Sequence, residues 1–265
     1  MTQRYLRHGV GVQSAALAFY LRFMLFPFLI FVSALLGSLR LDTAAILPAL
    51  AEVLPREAVG LLGVYLRHVS EHPSPRLMTF ALVFSLYFPM RAASALMRAV
   101  RTAYHLGPPR SGVAHYAKSL LYTVLLIATI ALTLMAVTVG DRLLDYAVAE
   151  LGLPVAAATL WARLRFPVAA AAGYFALFSL YALSQDSRRP WREIWPGAVF
   201  SLAVWLAFSW GYALYVERIA DYSALYGSIG AVIVLLMWLY LSAVVLILGA
   251  EFNGVLLTLQ KDRKQ

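Results

Sequence analysis

The stretch AVIVLLMWLYLSAVVLILGA, residues 231–250, runs without a single charged side chain, and its reading decides the fold. At ~1.5 Å of rise per residue it is about as long as a bilayer's hydrocarbon core is thick. Val232–Met237 by itself could form a buried strand, but its continuation to Ala250 with no turn signal predicts a helix. Working outward, this segment becomes the span Ile229–Asn253, preceded by Ala15–Gly37, Leu77–Val100, Ser119–Gly140, Phe166–Leu183 and Trp195–Val216. The 265 residues are 62% apolar and 13% charged, against roughly 45–50% and about 25% in soluble domains. So few polar side chains cannot cover a soluble globule of this size. The predicted fold class is all-α: a polytopic membrane bundle, one six-span domain over residues 1–265. A soluble enzyme and a disordered tail are excluded. With no cysteine in the chain, so are a disulfide-stapled domain, thiolate metal sites and thiol nucleophiles.

An even number of spans puts both termini on one side, and basic residues choose the side. The N-terminus, the second and fourth loops and the C-terminal tail hold twelve: Arg4, Arg7, Arg98, Arg101, Arg110, Lys118, Arg188, Arg189, Arg192, Lys261, Arg263 and Lys264. The other loops hold eight in a longer stretch, offset by nine acids. Both termini are therefore expected to be cytoplasmic, and the length of the first span predicts an uncleaved anchor, not a signal peptide. In the outer loops, Val59, Leu62, Leu66 and Val69 recur at helical spacing within Arg56–Glu71, as do Leu144, Val148 and Leu151 within Asp141–Leu151. Both read as amphipathic helices lying on the membrane surface or capping the bundle.

The last third adds a distinctive pattern. Tyr226-Gly227-Ser228-Ile229-Gly230 leads into a span containing Trp238 and Tyr240, which closes with Gly249-Ala250-Glu251-Phe252-Asn253. With Ala15–Tyr20, Phe26-Pro27, Ala103-Tyr104, Leu164-Arg165-Phe166-Pro167 and Pro196-Gly197-Ala198, it resembles the YihY/BrkB family of bacterial inner-membrane proteins over nearly the whole chain. Departures are Arg22, Phe166 and Arg101-Thr102, which stand where the family favours a small or hydroxyl residue, a tryptophan and Asn-Arg. The resemblance implies a six-span inner-membrane protein whose relatives carry the labels virulence factor and ribonuclease BN. The family-motif positions it marks are Arg165, Pro167, Pro196, Gly197, Tyr226, Gly227, Gly230, Trp238, Tyr240, Gly249, Glu251 and Asn253.

A two-metal nuclease needs several converging carboxylates, whereas the segments expected in the cytoplasm offer only Asp186, Glu193 and Asp262 beside the membrane-edge Glu251. A metal-free route would need an acid and base such as His105 and His115, which read as two solvated loop histidines. His68-Val69-Ser70-Glu71-His72 matches a zinc-protease pattern, but Pro73 ends its helix at the second histidine, and it reads as the polar face of an interfacial helix. Neither a catalytic residue, a metal nor a cofactor is expected.

Charges at bilayer depth need their own explanation, since each costs at least ~2.5–3.5 kcal/mol. Arg22, Arg91 and Glu251 all fall in the cytoplasmic half of their spans. They form either a compensated structural network or a substrate site for an anionic head group. Ala203, Ala207 and Gly211 repeat at four-residue spacing and predict a close helix contact. Three functions follow for a chain without a nucleotide-binding loop: a transporter or handler of an anionic lipid-like substrate, a structural or envelope-assembly protein, and a tRNA-processing ribonuclease. The expected partners are membrane lipids, with a homo-oligomer open and no nucleic acid.

Overall fold

The computed structural model describes residues 8–23, 75–151, 155–186, 190–218 and 228–262. These residues form helices and no strands: α1 over 10–23, α2 Pro75–Ala103, α3 Gly112–Leu151, α4 Val155–Leu183, a 3₁₀ turn Trp191–Glu193, α5 Trp195–Arg218 and α6 Ser228–Asp262. Local chemistry sets several boundaries. Ser111 caps α3, its Oγ accepting the Ala114 N–H at 3.3 Å. Pro196 sits in the first turn of α5, where its missing N–H has no helical acceptor to lose. The hydroxyls of α3 turn back on their own helix, Ser119 to the His115 carbonyl at 2.9 Å and Thr123 to that of Ser119 at 2.8 Å. They leave no unmet hydrogen bond toward an apolar surround.

Among the described residues, stretches of four helices are long and apolar enough to cross a membrane: Gly112–Ile130, Arg163–Leu183, Trp195–Val216 and Val232–Gln260. Together they make the protein a polytopic helical membrane bundle. Successive helices pack as neighbours, α2 on α3, α3 on α4, α4 on α5 and α5 on α6, and α6 closes the ring against α2. Helix α1 adds Val10 and Leu17 to Ala92, Ala99, Ala243 and Ile247 between α2 and α6. A second core joins Met97, Val100, Tyr122, Leu180, Tyr181 and Ala250. Leu121, Val124, Phe175, Leu206, Trp210 and Val232 stay exposed on the outside, as lipid-facing side chains should.

The helices outrun the expected spans. Asp141–Leu151 is helical but does not form a separate surface helix: α3 continues through it for 40 residues, about 60 Å at the α-helical rise. Its apolar residues extend a helix that nothing interrupts, because Gly140 and Asp141 are too weak a break to stop one already propagating. Helix α4 begins at Val155 instead of Phe166, with Pro167 inside it, and α6 runs to Asp262. Arg56–Glu71, His68–His72, Tyr226, Gly227 and most of the first span lie outside the described residues.

Among the described residues the stripe Ala203, Ala207 and Gly211 is exposed, and no described neighbour comes within 4 Å of where a side chain on Gly211 would begin. The close helix contact is at Gly197 and Gly249 instead. A methyl on Gly197 would stand 2.3 Å from the Gly249 carbonyl, and one on Gly249 would stand 2.8 Å from that of Gly197. Spacing alone could not say which small face of α5 turns inward.

Candidate functional site

A network of buried polar side chains lies at the end of the bundle where α1, the start of α5 and the turns after α2 and α4 meet the second half of α6. At its centre stands Asn253, 1% exposed. Its Oδ1 accepts the Gly197 N–H at 2.7 Å, while its Nδ2 donates to the Tyr104 hydroxyl at 2.7 Å and the Ile194 carbonyl at 2.9 Å. One amide thus ties the start of α5 to α6 and to the end of α2. One turn deeper, the Tyr181 hydroxyl donates to the Leu246 carbonyl and shares a hydrogen with Ser201, both at 2.7 Å, beside Gly249. Trp205 donates its indole N–H to Ser242 Oγ at 3.1 Å and meets the Trp238 ring edge-on. Four of the ten motif positions found in the described residues therefore hold α5 against α6: Gly197, Trp238, Gly249 and Asn253. Pro196 starts α5, and Gly230 is buried near the start of α6. Tyr240 is half-buried on α6, and Arg165 lies over the ring of Phe166, 4.9 Å from its centroid.

The three charges expected at bilayer depth make different contacts. Glu251, 2% exposed, pairs with Nδ1 of His8, and the His8 ring stands edge-on to His105. Arg91 donates to the Tyr116 hydroxyl at 3.1 Å and lies over the Tyr20 ring. Arg22 is exposed on α1. Glu251 therefore finds its partner in an imidazole of the N-terminal segment, and Arg91 sits in an aromatic setting between α1 and α3. Of the two histidines read as solvated loop residues, His105 is exposed in the turn after α2, at a left-handed φ of 54°. His115 differs: it belongs to the first turn of α3, buried against Ser94 at 2.9 Å.

The remaining polar cluster is built on Arg101, Arg110 and Lys118, basic residues that the sequence marks chiefly as topology signals, together with Asp186 and His115. Arg101, 4% exposed, forms a two-pronged ion pair with Asp186, both contacts at 2.9 Å. It also donates to the carbonyls of Gly107, Pro108 and Ser184. Its planar fork thereby binds the α2–α3 turn to the end of α4. Lys118 adds a bond to the Gln185 carbonyl at 2.6 Å, and Arg98 donates to the Ser94 hydroxyl that holds His115. The Arg101 guanidinium keeps the Asp186 carboxyl below the usual carboxylate range, helped by Lys118 and Arg110. Between these groups opens a cleft of ≈ 240 Å³ lined by Arg101, Arg110, Ser111, His115, Lys118 and Asp186, among others. Three permanent cations face one carboxylate in it. The available signal was the recurrence of Arg101, Arg110 and Lys118 around the turn Gly107-Pro108-Pro109.

Comparison with known proteins agrees with the motif reading. A ribonuclease-like protein, YfkH, of Bacillus subtilis (strain 168) is 30% identical over 253 residues, covering 96% of this chain and 92% of the relative. A UPF0761 membrane protein of Alkalilimnicola ehrlichii is 40% identical over 77 residues, 29% of this chain and 17% of that protein. Another, from Pseudoalteromonas translucida, is 33% identical over 75 residues, 28% of this chain and 25% of its own. No solved structure matches the chain. The family profile described as virulence factor BrkB matches residues 1–265, and the chain belongs to that family.

Proposed function

We propose that this protein binds and moves an anionic lipid-like amphiphile in the bacterial inner membrane without covalent chemistry, with both termini in the cytoplasm. The observation that carries the reading is the cleft where Arg101, Arg110 and Lys118 outnumber Asp186 at the edge of the helical bundle. Its α3 wall continues onto an exposed apolar surface, with Leu121 three residues beyond Lys118 and Val124 after it. A head group in the cleft could leave its acyl chains on that surface. Arg91, cradled by Tyr20 and Tyr116, and Arg22 supply further cations along the bundle.

A ribonuclease finds less support. Asp186 is committed to Arg101 and Glu251 to His8, and no three metal-binding side chains cluster among the described residues. A scaffold in envelope assembly is favoured by one feature, the internal satisfaction of Asn253 and Arg101. The two readings separate in proteoliposomes carrying fluorescent phosphatidylglycerol or phosphatidylcholine in one leaflet. The proposal expects the protein to speed exchange of the anionic lipid, and expects Arg91→Ala to slow it. Exchange equal to that of protein-free vesicles would leave the scaffold.

A further inference from the structure

We propose that the cleft between the α2–α3 turn, the first turns of α3 and the end of α4 is a binding site for a phosphate monoester, free or carried as a lipid head group. The inference rests on the anionic-amphiphile reading and narrows its ligand. Charge sets the class. Arg101, Arg110 and Lys118 against Asp186 leave two positive charges in a cleft of ≈ 240 Å³. A phosphate monoester carries about −1.5 to −2 near neutral pH and would cancel them, whereas a diester, with a single negative charge, would leave one cation uncompensated.

Geometry divides the work among the residues. Arg101 spends its N–H groups on Asp186 and on the carbonyls of Gly107, Pro108 and Ser184. It is a positioning residue, a rigid positive wall that fixes the width of the cleft. Ligand hydrogen bonds fall to Arg110, which is exposed at the rim, to the Ser111 hydroxyl, and to Lys118, whose ammonium has three donors and gives one to the Gln185 carbonyl. The first turn of α3 lines the same cleft through Ser111, Ala114 and His115, so the positive end of a 40-residue helix adds to the side-chain charges. His115 is held in place from behind by Ser94, whose hydroxyl in turn accepts from Arg98. The phosphate of a bound ligand would meet Arg110 and Lys118 on one side and Ser111 at its base, while Asp186, tied off by Arg101, is kept from opposing it directly.

The test measures binding to the full chain in uncharged detergent. The probes are inorganic phosphate, glycerol 3-phosphate, dihexanoyl phosphatidic acid and dihexanoyl phosphatidylglycerol. Phosphate monoesters should bind more tightly than the diester, and Arg110→Ala and Lys118→Ala should each weaken them roughly tenfold or more, as loss of a charge-assisted hydrogen bond does. Arg192→Ala, removing an exposed arginine at the same end but outside the cleft lining, should change nothing. Phosphatidic acid binding far above glycerol 3-phosphate supports the site with a lipid source; equal binding supports it with a free one. Equal affinity for mono- and diester, or indifference to Arg110→Ala and Lys118→Ala, overturns the site. Anionic lipid exchange that persists while cleft binding is absent refutes this site alone; cleft binding without lipid exchange refutes the transport reading alone.

Discussion

Replacing Gly249 with alanine tests the account of how α5 and α6 are held together. A methyl there would stand 1.7 Å from Ser201 Oγ, 2.7 Å from the Tyr181 hydroxyl and 2.8 Å from the Gly197 carbonyl. Ser201 can rotate away, but only by surrendering its bond to Tyr181. The Gly197 carbonyl is backbone, so α5 itself must move. Three terms set the magnitude. Overpacking costs about 1–3 kcal/mol. The lost interhelical hydrogen bond adds ~0.6 kcal/mol, typical inside membranes. Alanine's better helix propensity returns ~1 kcal/mol. The net expectation is a loss of roughly 0.5–2.5 kcal/mol, read as the shift in a reversible unfolding titration in bicelles. Gly211→Ala is the control: its position is open, so it keeps the propensity gain and should be neutral or slightly stabilising. Ser201→Ala should recover part of the Gly249→Ala loss in a double-mutant cycle, because the nearest clashing atom is then gone. A Gly249→Ala protein as stable as wild type, with the same spectra and no coupling to Ser201→Ala, would refute the close contact.

Asn253→Ala removes three tertiary bonds at once and should lower stability by roughly 2 kcal/mol, against ~1 kcal/mol for Tyr104→Phe, which removes the bonds to Asn253 and to the Glu193 carbonyl, in the same titration. The Asp186 carboxyl titrates below its ordinary 3.8 because of Arg101. Its stabilising contribution is therefore complete above that value and is lost as pH falls through the lower folded one. Thermal midpoints of wild type should fall more steeply than those of Asp186→Asn below about pH 4, where the unfolded carboxyl begins to bind its proton. Single cysteines at Ser111, Ser187 and Gln265 should resist an impermeant thiol reagent in intact cells while one at Ser74 reacts. External labelling of Ser187 would sink the proposed six-span topology.

The membrane class, the helical fold and the family were determined by residue order alone. An uncharged run such as 231–250 has one favourable conformation in lipid, where every backbone group must bond within its own segment. The motif residues Gly197, Gly249 and Asn253 could be marked from the chain as well. What they do could not, since Asn253 finds its partners 56, 59 and 149 positions away. Periodicity proposes faces without ranking them, and so the stripe at Ala203, Ala207 and Gly211 read as a contact although the fold turns Gly197 and Ser201 inward. The continuation of α3 through Asp141 was hidden because amphipathic spacing looks the same in a separate helix and in the extension of a longer one. The charges show the limit most plainly. Glu251 is buried in a pair with His8, 243 residues earlier in the chain, and Arg101, whose sequence neighbourhood marks a loop cation, is buried by an Asp186 that lies 85 residues on. Charge and depth are local properties that a sequence carries, whereas the partner that makes a buried charge tolerable is decided only when the helices close around it.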